Sequence, residues 1–159
     1  MDFPIIELSY NPVPVDERMC WHELYDDGCV GYYTDFVGDE YTEGERQELL
    51  NNGRLQKLFA GIATVNTADG GSITFLDRET IRASVTTETL DSMERLWEKA
   101  QEDEELRPDD VLYEAEYFRG DFAMFHYDGG VHTSGNLASS AVWFAGKTLY
   151  FGGIIRGHI

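Results

Sequence analysis

Between Val111 and Ile154 the chain reads VLYEAEYFRGDFAMFHYDGGVHTSGNLASSAVWFAGKTLYFGGI, rich in aromatic and β-favouring residues with turn signals between the runs. Such a stretch prescribes a sheet, and the rest of the chain has to pack on it. Val111, Tyr113, Ala115 and Tyr117 alternate with Leu112, Glu114 and Glu116. After Arg119-Gly120-Asp121, Phe122 to Tyr127 supplies the second arm of a hairpin. A second pair, Ala138 to Phe144 and Thr148 to Phe151, flanks the short turn Ala145-Gly146-Lys147.

Upstream, the hydrophobic period changes along the chain. Ile5 to Tyr10 reads as a short edge strand between Pro4 and Asn11-Pro12-Val13-Pro14. In Val15 to Asp27, Met19, Trp21 and Leu24 fit the buried side of a helical turn. Gly28 interrupts it, and Cys29 to Val37 then reads as a strand. Thr42-Glu43-Gly44-Glu45 has capping-box form and opens a helix through Leu49 and Leu50. Asn51-Asn52-Gly53 stops it, with Gly53 expected in the left-handed region. Leu55, Leu58 and Phe59 fit a second short helix.

From Ile62 the period is two. Ile62 to Thr67 and Ser72 to Asp77 make a hairpin across Ala68-Asp69-Gly70-Gly71, and Thr80 to Thr86 reads as a third strand. Glu88 to Leu106 follows as a helix, with Thr87 as candidate N-cap and Arg107-Pro108 as its stop. Leu90, Met93, Trp97 and Ala100 share one side of it, the expected core face. The sum is an α+β fold within one domain, residues 1–159. A mainly antiparallel sheet, a meander plus two C-terminal hairpins, packs on one long helix, with a short helical segment near residues 42–60.

A 159-residue chain of this kind buries ~70% of its unfolded surface, so it needs neither a disulfide nor a metal to fold. MDFPIIELSY lacks the basic and apolar regions of an export signal. No apolar run approaches the ~20 residues that span a bilayer. Cys20 and Cys29 are expected as reduced thiols and the cytoplasm as the compartment.

Charge narrows the function further. Thirty acids against twelve bases give a net −18, which opposes direct binding to nucleic acid or an anionic membrane. It favours a basic protein, or the nucleic-acid-binding groove of one. Solubility, or life in a salty cytoplasm, accounts for the same balance, and a halophilic or viral structural or assembly protein fits that account. The acids cluster: Asp16 to Glu48 holds eleven against Arg18 and Arg46, and Glu98 to Asp121 holds ten against Lys99, Arg107 and Arg119.

The first cluster offers Asp26, Asp27, Asp35, Asp39 and Glu40 as partner-binding residues, and Tyr10, Tyr25, Tyr32, Tyr33, Phe36 and Tyr41 lie among its acids. Tyrosines interleaved with carboxylates suit a grip on cations. The second offers Glu102, Asp103, Glu104, Glu105, Asp109 and Asp110, where helical acids imitate the charge spacing of DNA only approximately. These acids next to a helix C-terminus oppose its dipole, a cost consistent with a use elsewhere. The expected function is a small acidic inhibitor that occludes a basic partner: a nucleic-acid mimic against a nucleic-acid-handling or host-defence protein, or a toxin-immunity protein. No cofactor and no catalysis are expected on this reading.

Three constellations carry other chemistry. His126, Asp128 and His132 in HYDGGVHTSG have the ligand types of a two-histidine, one-carboxylate metal face, and with it of a metal-dependent enzyme. Their alternative is a polar turn with one half-buried histidine. Cys20-Trp21-His22, with Cys29 beyond, sets a thiol near an imidazole, although a buried cysteine is the commoner case. Asp26-Asp27, Asp39-Glu40, Asp109-Asp110 and the pair Glu114 and Glu116 are of the type that binds magnesium or calcium, or that simply faces solvent.

Overall fold

A computed structural model describes residues 2–26, 34–102, 107 and 123–158. The elements in order are β1 (Asp2–Ser9), a 3₁₀ turn (Val15–Glu17), α1 (Trp21–Asp26), β2 (Phe36–Glu40), α2 (Glu43–Leu50) and α3 (Gly53–Leu58). Then follow β3 (Ala63–Asn66), β4 (Ser72–Phe75), α4 (Arg78–Glu102), β5 (Met124–Tyr127) and β6 (Gly130–Thr133). The chain continues through α5 (Ser134–Ser140) and a 3₁₀ turn (Ala141–Phe144) to β7 (Thr148–His158). The fold is α+β. One seven-stranded sheet runs β3-β4-β7-β1-β5-β6, with β2 also on β7. Among the described strands all pairings are antiparallel except β1 with β5.

The eleven-residue β7 is the hub. One side pairs with β1 along almost its whole length. The other side is shared: Thr148 to Tyr150 pair with β4, and Ile155 to His158 pair with β2. Between these two partners the carbonyls of β7 turn to a side chain. Arg46, on α2 and only 1% exposed, donates from Nε to Gly152 O at 2.9 Å and from Nη2 to Phe151 O at 2.6 Å. Nη2 also donates to Gly70 O. A guanidinium thus stands where a strand would, because buried carbonyls need donors.

Both faces of the sheet are covered, so the inner strands are apolar on both sides. Ile6, Leu8, Phe125, Phe151 and Ile154 face a large core closed by α2, α3, α5 and Ile81 of α4. Their sequence neighbours Ile5, Met124 and Ile155 face a smaller core with Met19 and with Leu24 of α1. Ile5 to Tyr10 is therefore no edge strand: β1 lies between β7 and β5, and its parallel pairing with β5 starts at Ile5, just past Pro4.

The capping box at Thr42 and the hairpin of β3 and β4 form as the sequence implies. Several other expectations are corrected. Thr80 to Thr86 is the start of α4 and not a strand. The Asp77 carboxylate accepts from the Thr80 amide at 2.9 Å and from its hydroxyl, which opens the helix early. Thr87 is then mid-helix. Of the residues that alternate there, Ile81 and Val85 face the core at i and i+4, and Ala83 is exposed.

Ala138 to Phe144 is likewise helical and not a strand. The Thr133 hydroxyl accepts from the Asn136 amide, and the small residues let α5 lie close over the core. Gly146 does turn the chain, at φ 73°, but between a 3₁₀ turn and β7. Gly53 begins α3 with Asn52 as its cap, so no left-handed glycine ends α2. The described strand near Cys29 to Val37 begins only at Phe36. The hairpin arm Val111 to Tyr117, its turn at Arg119-Gly120-Asp121 and Leu106 lie outside the described residues. The partner of β5 in a hairpin is β6, across Asp128-Gly129 with both residues at positive φ.

Candidate partner-binding surface

α1 is six residues long and buries one side chain, Leu24. Met19 just before it is also buried, and together they anchor the turn in the smaller core. The remaining side chains point outward. Trp21 is 40% and Tyr25 46% exposed. Their rings meet edge-on at 5.8 Å, and Trp21 also stacks on His22 at 3.5 Å. Three rings held against one another lose little rotamer freedom on binding, which makes them efficient anchors.

β2 packs beside α1. Val37 points inward, whereas Asp35, Asp39 and Glu40 are exposed, as is Asp26 at the end of α1. Four of the five residues expected in the first patch thus sit on or beside two contacting elements, and Asp27 lies outside the described residues. Asp16, Glu17 and Glu23 are exposed on the approach to α1 and on its first turn. Among the described residues none of these seven carboxylates takes part in an ion pair.

Other acids of the same cluster are used internally. Glu43 bonds Arg18 and lies 3.5 Å from Arg46 Nη1. Glu45 closes the capping box and meets Arg156 at 2.6 Å. The hydrogen bond from Arg18 holds the Glu43 carboxyl below the usual carboxylate range, and those from the Thr42 amide and hydroxyl do the same for Glu45. The cluster therefore divides by job: some acids hold the fold, and others face solvent beside the aromatic rings.

Of the second patch, Glu102 is exposed at the end of α4. Asp103, Glu104, Glu105, Asp109 and Asp110 lie outside the described residues, as do Tyr32, Tyr33, Glu114, Glu116 and Cys29. Tyr10 is 50% exposed at another corner, near Phe144 and Lys147. Tyr41 is half-buried beneath the Arg156 guanidinium, and burial raises its phenol.

The metal face does not assemble. In the β5–β6 ladder His126 stands opposite Val131 and His132 opposite Phe125, so the two imidazoles emerge on opposite faces of the sheet. Asp128 is in the turn, exposed, at φ 52°. His132 instead stacks on Tyr127 at 4.0 Å, and burial lowers its pKa. Among the described residues no three His, Cys, Asp or Glu side chains are placed to hold a metal ion. Cys20 is a free thiol with its Sγ 3.9 Å from His22 Nδ1, and the described residues bring no third group to that pair.

Two important residues escape a reading of the sequence. Trp21 is spaced as a core residue, yet a helix of six residues has room for one inward side chain. Arg46 reads as one of two bases in an acidic run, and nothing local signals that it is buried. Among the described residues no helix is long and apolar enough to cross a membrane. No protein-family model, curated protein or solved structure matches the chain.

Proposed function

We propose that the chain is a small acidic binding protein that occludes a basic partner. Such a partner is a nucleic-acid-handling or host-defence protein, blocked by imitation of its polyanion, or a cationic toxin held by its immunity protein. The reading rests on one arrangement: Trp21 and Tyr25, exposed and in edge-on contact, sit on α1, which ends in the exposed Asp26 and packs beside the β2 segment that carries Asp35, Asp39 and Glu40. Carboxylates around aromatic faces complement Lys and Arg, since each ring accepts a cation on its face while the acids steer its approach. The net charge of −18 for the whole chain extends that steering over the molecule. No reacting group takes part.

The test is capture of a partner from the source cell, followed by kinetics with Asp35→Lys, Asp39→Lys and Glu40→Lys combined. Association is expected to slow on the order of 10-fold at low salt, with a flatter dependence on ionic strength. Unchanged association by that variant would remove the electrostatic mechanism.

A further inference from the structure

The long helix α4 offers a second surface that the proposed function leaves unused. Of its 25 residues only Ile81 and Ser92 are buried. The side turned away from them carries Ala83, Thr86, Leu90, Met93, Trp97 and Ala100, in alternating steps of three and four. Leu90 is 60% and Trp97 57% exposed, although their spacing is that of a core stripe. Steps of three and four repeat every 3.5 residues on average, the period by which two helices bury a common seam.

We propose that α4 pairs with the α4 of a second copy of this chain, antiparallel, about a two-fold axis between Leu90 and Met93. The stripe is its own complement in that register. Leu90 of one copy meets Met93 of the other, the large Trp97 meets the small Thr86, and Ala83 meets Ala100. A parallel pair would instead set Trp97 against Trp97 and leave Thr86 facing Thr86.

Charge selects the same direction. α4 begins with Arg78, Glu79 and Arg82, a net cation, and ends with Glu98, Lys99 and Glu102, a net anion. Antiparallel pairing lays each start along the other's end, whereas parallel pairing stacks like on like. The flanking positions agree, since Glu94 faces Thr87 of the other copy and meets no second carboxylate. The seam runs ~27 Å along the helix. Both copies use the same patch, so the contact closes at two.

Two chains of net −18 repel each other at long range. Salt therefore tightens this contact, the opposite sign from capture of a basic partner. Sedimentation equilibrium of the full chain is expected to show a monomer–dimer equilibrium that strengthens from low to moderate salt. Leu90→Asp weakens it on the order of 100-fold. That side chain is exposed in the monomer, so the urea midpoint measured at dilutions where the wild type is monomeric stays put.

Direction is read by cross-linking in a Cys20→Ser, Cys29→Ser background. Ala83→Cys with Ala100→Cys gives a linked dimer under mild oxidation, and Ala83→Cys alone gives none. A chain monomeric at every concentration, a dimer indifferent to Leu90→Asp, or cross-linking by Ala83→Cys alone would each overturn the proposal.

Discussion

Glu7 accepts from the amide of Gly153 at 2.6 Å, through the same Oε2 that accepts from the amide of Met19 at 2.8 Å. The register between β1 and β7 shifts at this point: Ile6 pairs with Ile154 and Leu8 with Phe151, so Gly152 and Gly153 together oppose Glu7. The bulge frees an amide from the ladder, and the carboxylate takes it. The same contact ties the approach to α1, and hence Trp21, to the central strand.

That crowding predicts a graded response to alanine. A Cβ on Gly153 would stand 2.7 Å from the carbonyl oxygen of Met19, which is backbone and cannot swing away. A Cβ on Gly152 would strike the Glu7 carboxylate, a side chain that can rotate away by giving up its bonds to Gly153 and Met19. Gly153→Ala should cost about 1–3 kcal/mol by overpacking. Gly152→Ala should cost less, and Glu7→Gln in that background should add little. Urea midpoints at constant m-value read all three.

Arg46 predicts a larger loss. Arg46→Met leaves the carbonyls of Phe151 and Gly152 buried without the donors that fill the gap between β4 and β2. A loss of about 3–5 kcal/mol is expected in urea unfolding. Arg46→Lys should recover little, because an ammonium cannot span three carbonyls as a planar fork does.

Acid should unfold the protein through carboxyls that the fold holds ionised. Hydrogen bonds from Thr42 lower Glu45 from 4.5, and those from Thr80 lower Asp77 from 3.8. A depressed folded value means that the contribution is complete above the unfolded pKa and disappears as pH falls through the folded one. Stability measured by urea should therefore fall as pH drops below about 4.5, the unfolded value for Glu45. Glu45→Gln should make that acid limb shallower, and comparison with wild type separates its effect from the general relief of repulsion on protonation.

The stacked pair Tyr127 and His132 should respond at two other pH values. Burial lowers His132 from 6.5, so its contribution is complete above that value and is lost as pH falls through the folded pKa. Burial pushes Tyr127 from 10.0 up to about 12, so its contribution is complete below 10.0 and is lost as pH rises through about 12. His132→Gln should flatten the stability profile just below neutrality. Ultraviolet titration should show one tyrosine ionising well after the exposed ones.

Trp21 should dominate the energy of partner capture. Trp21→Ala is expected to cost about 2 kcal/mol or more in binding, chiefly as faster dissociation. Single neutralisations such as Asp39→Asn should each cost less and act on association. If the acids slow dissociation more than Trp21 does, the rings are not the anchor.

Local grammar was legible where one residue type decides an outcome. The capping box at Thr42 and the β3–β4 hairpin follow from chemistry within a few positions, and so does the start of β7, Thr148 to Phe151, whereas its continuation to His158 does not. Elsewhere alternation and residue size alone mislead. Alternation at Ile81, Ala83 and Val85 suits a strand as well as a helix, and the Asp77 cap decided it. Small, β-tolerant residues from Ala138 to Phe144 are helical because Leu137, Ala138, Ala141 and Phe144 all have to reach the large core from one side.

The surface was legible only in part. Clustering of acids points to Asp26, Asp35, Asp39 and Glu40, and the capping box sets Glu45 apart, but no sequence rule separates Glu43, whose partner Arg18 lies before α1. His126 and His132 looked convergent because glycines lay between them. A two-residue turn at Asp128-Gly129 fixed a register that sends the rings apart. Leu90 and Trp97 have the spacing of a core, and their outward direction depends on which flank Ile81 and Ser92 commit to the fold.

β7 is translated after every strand that pairs with it. A nascent chain that has reached Lys147 holds β1, β2 and β4 with no common neighbour to join them. Closure of the sheet thus awaits synthesis of the segment from Thr148 to His158, and until then the apolar faces of β1 and β4 remain clients for chaperones.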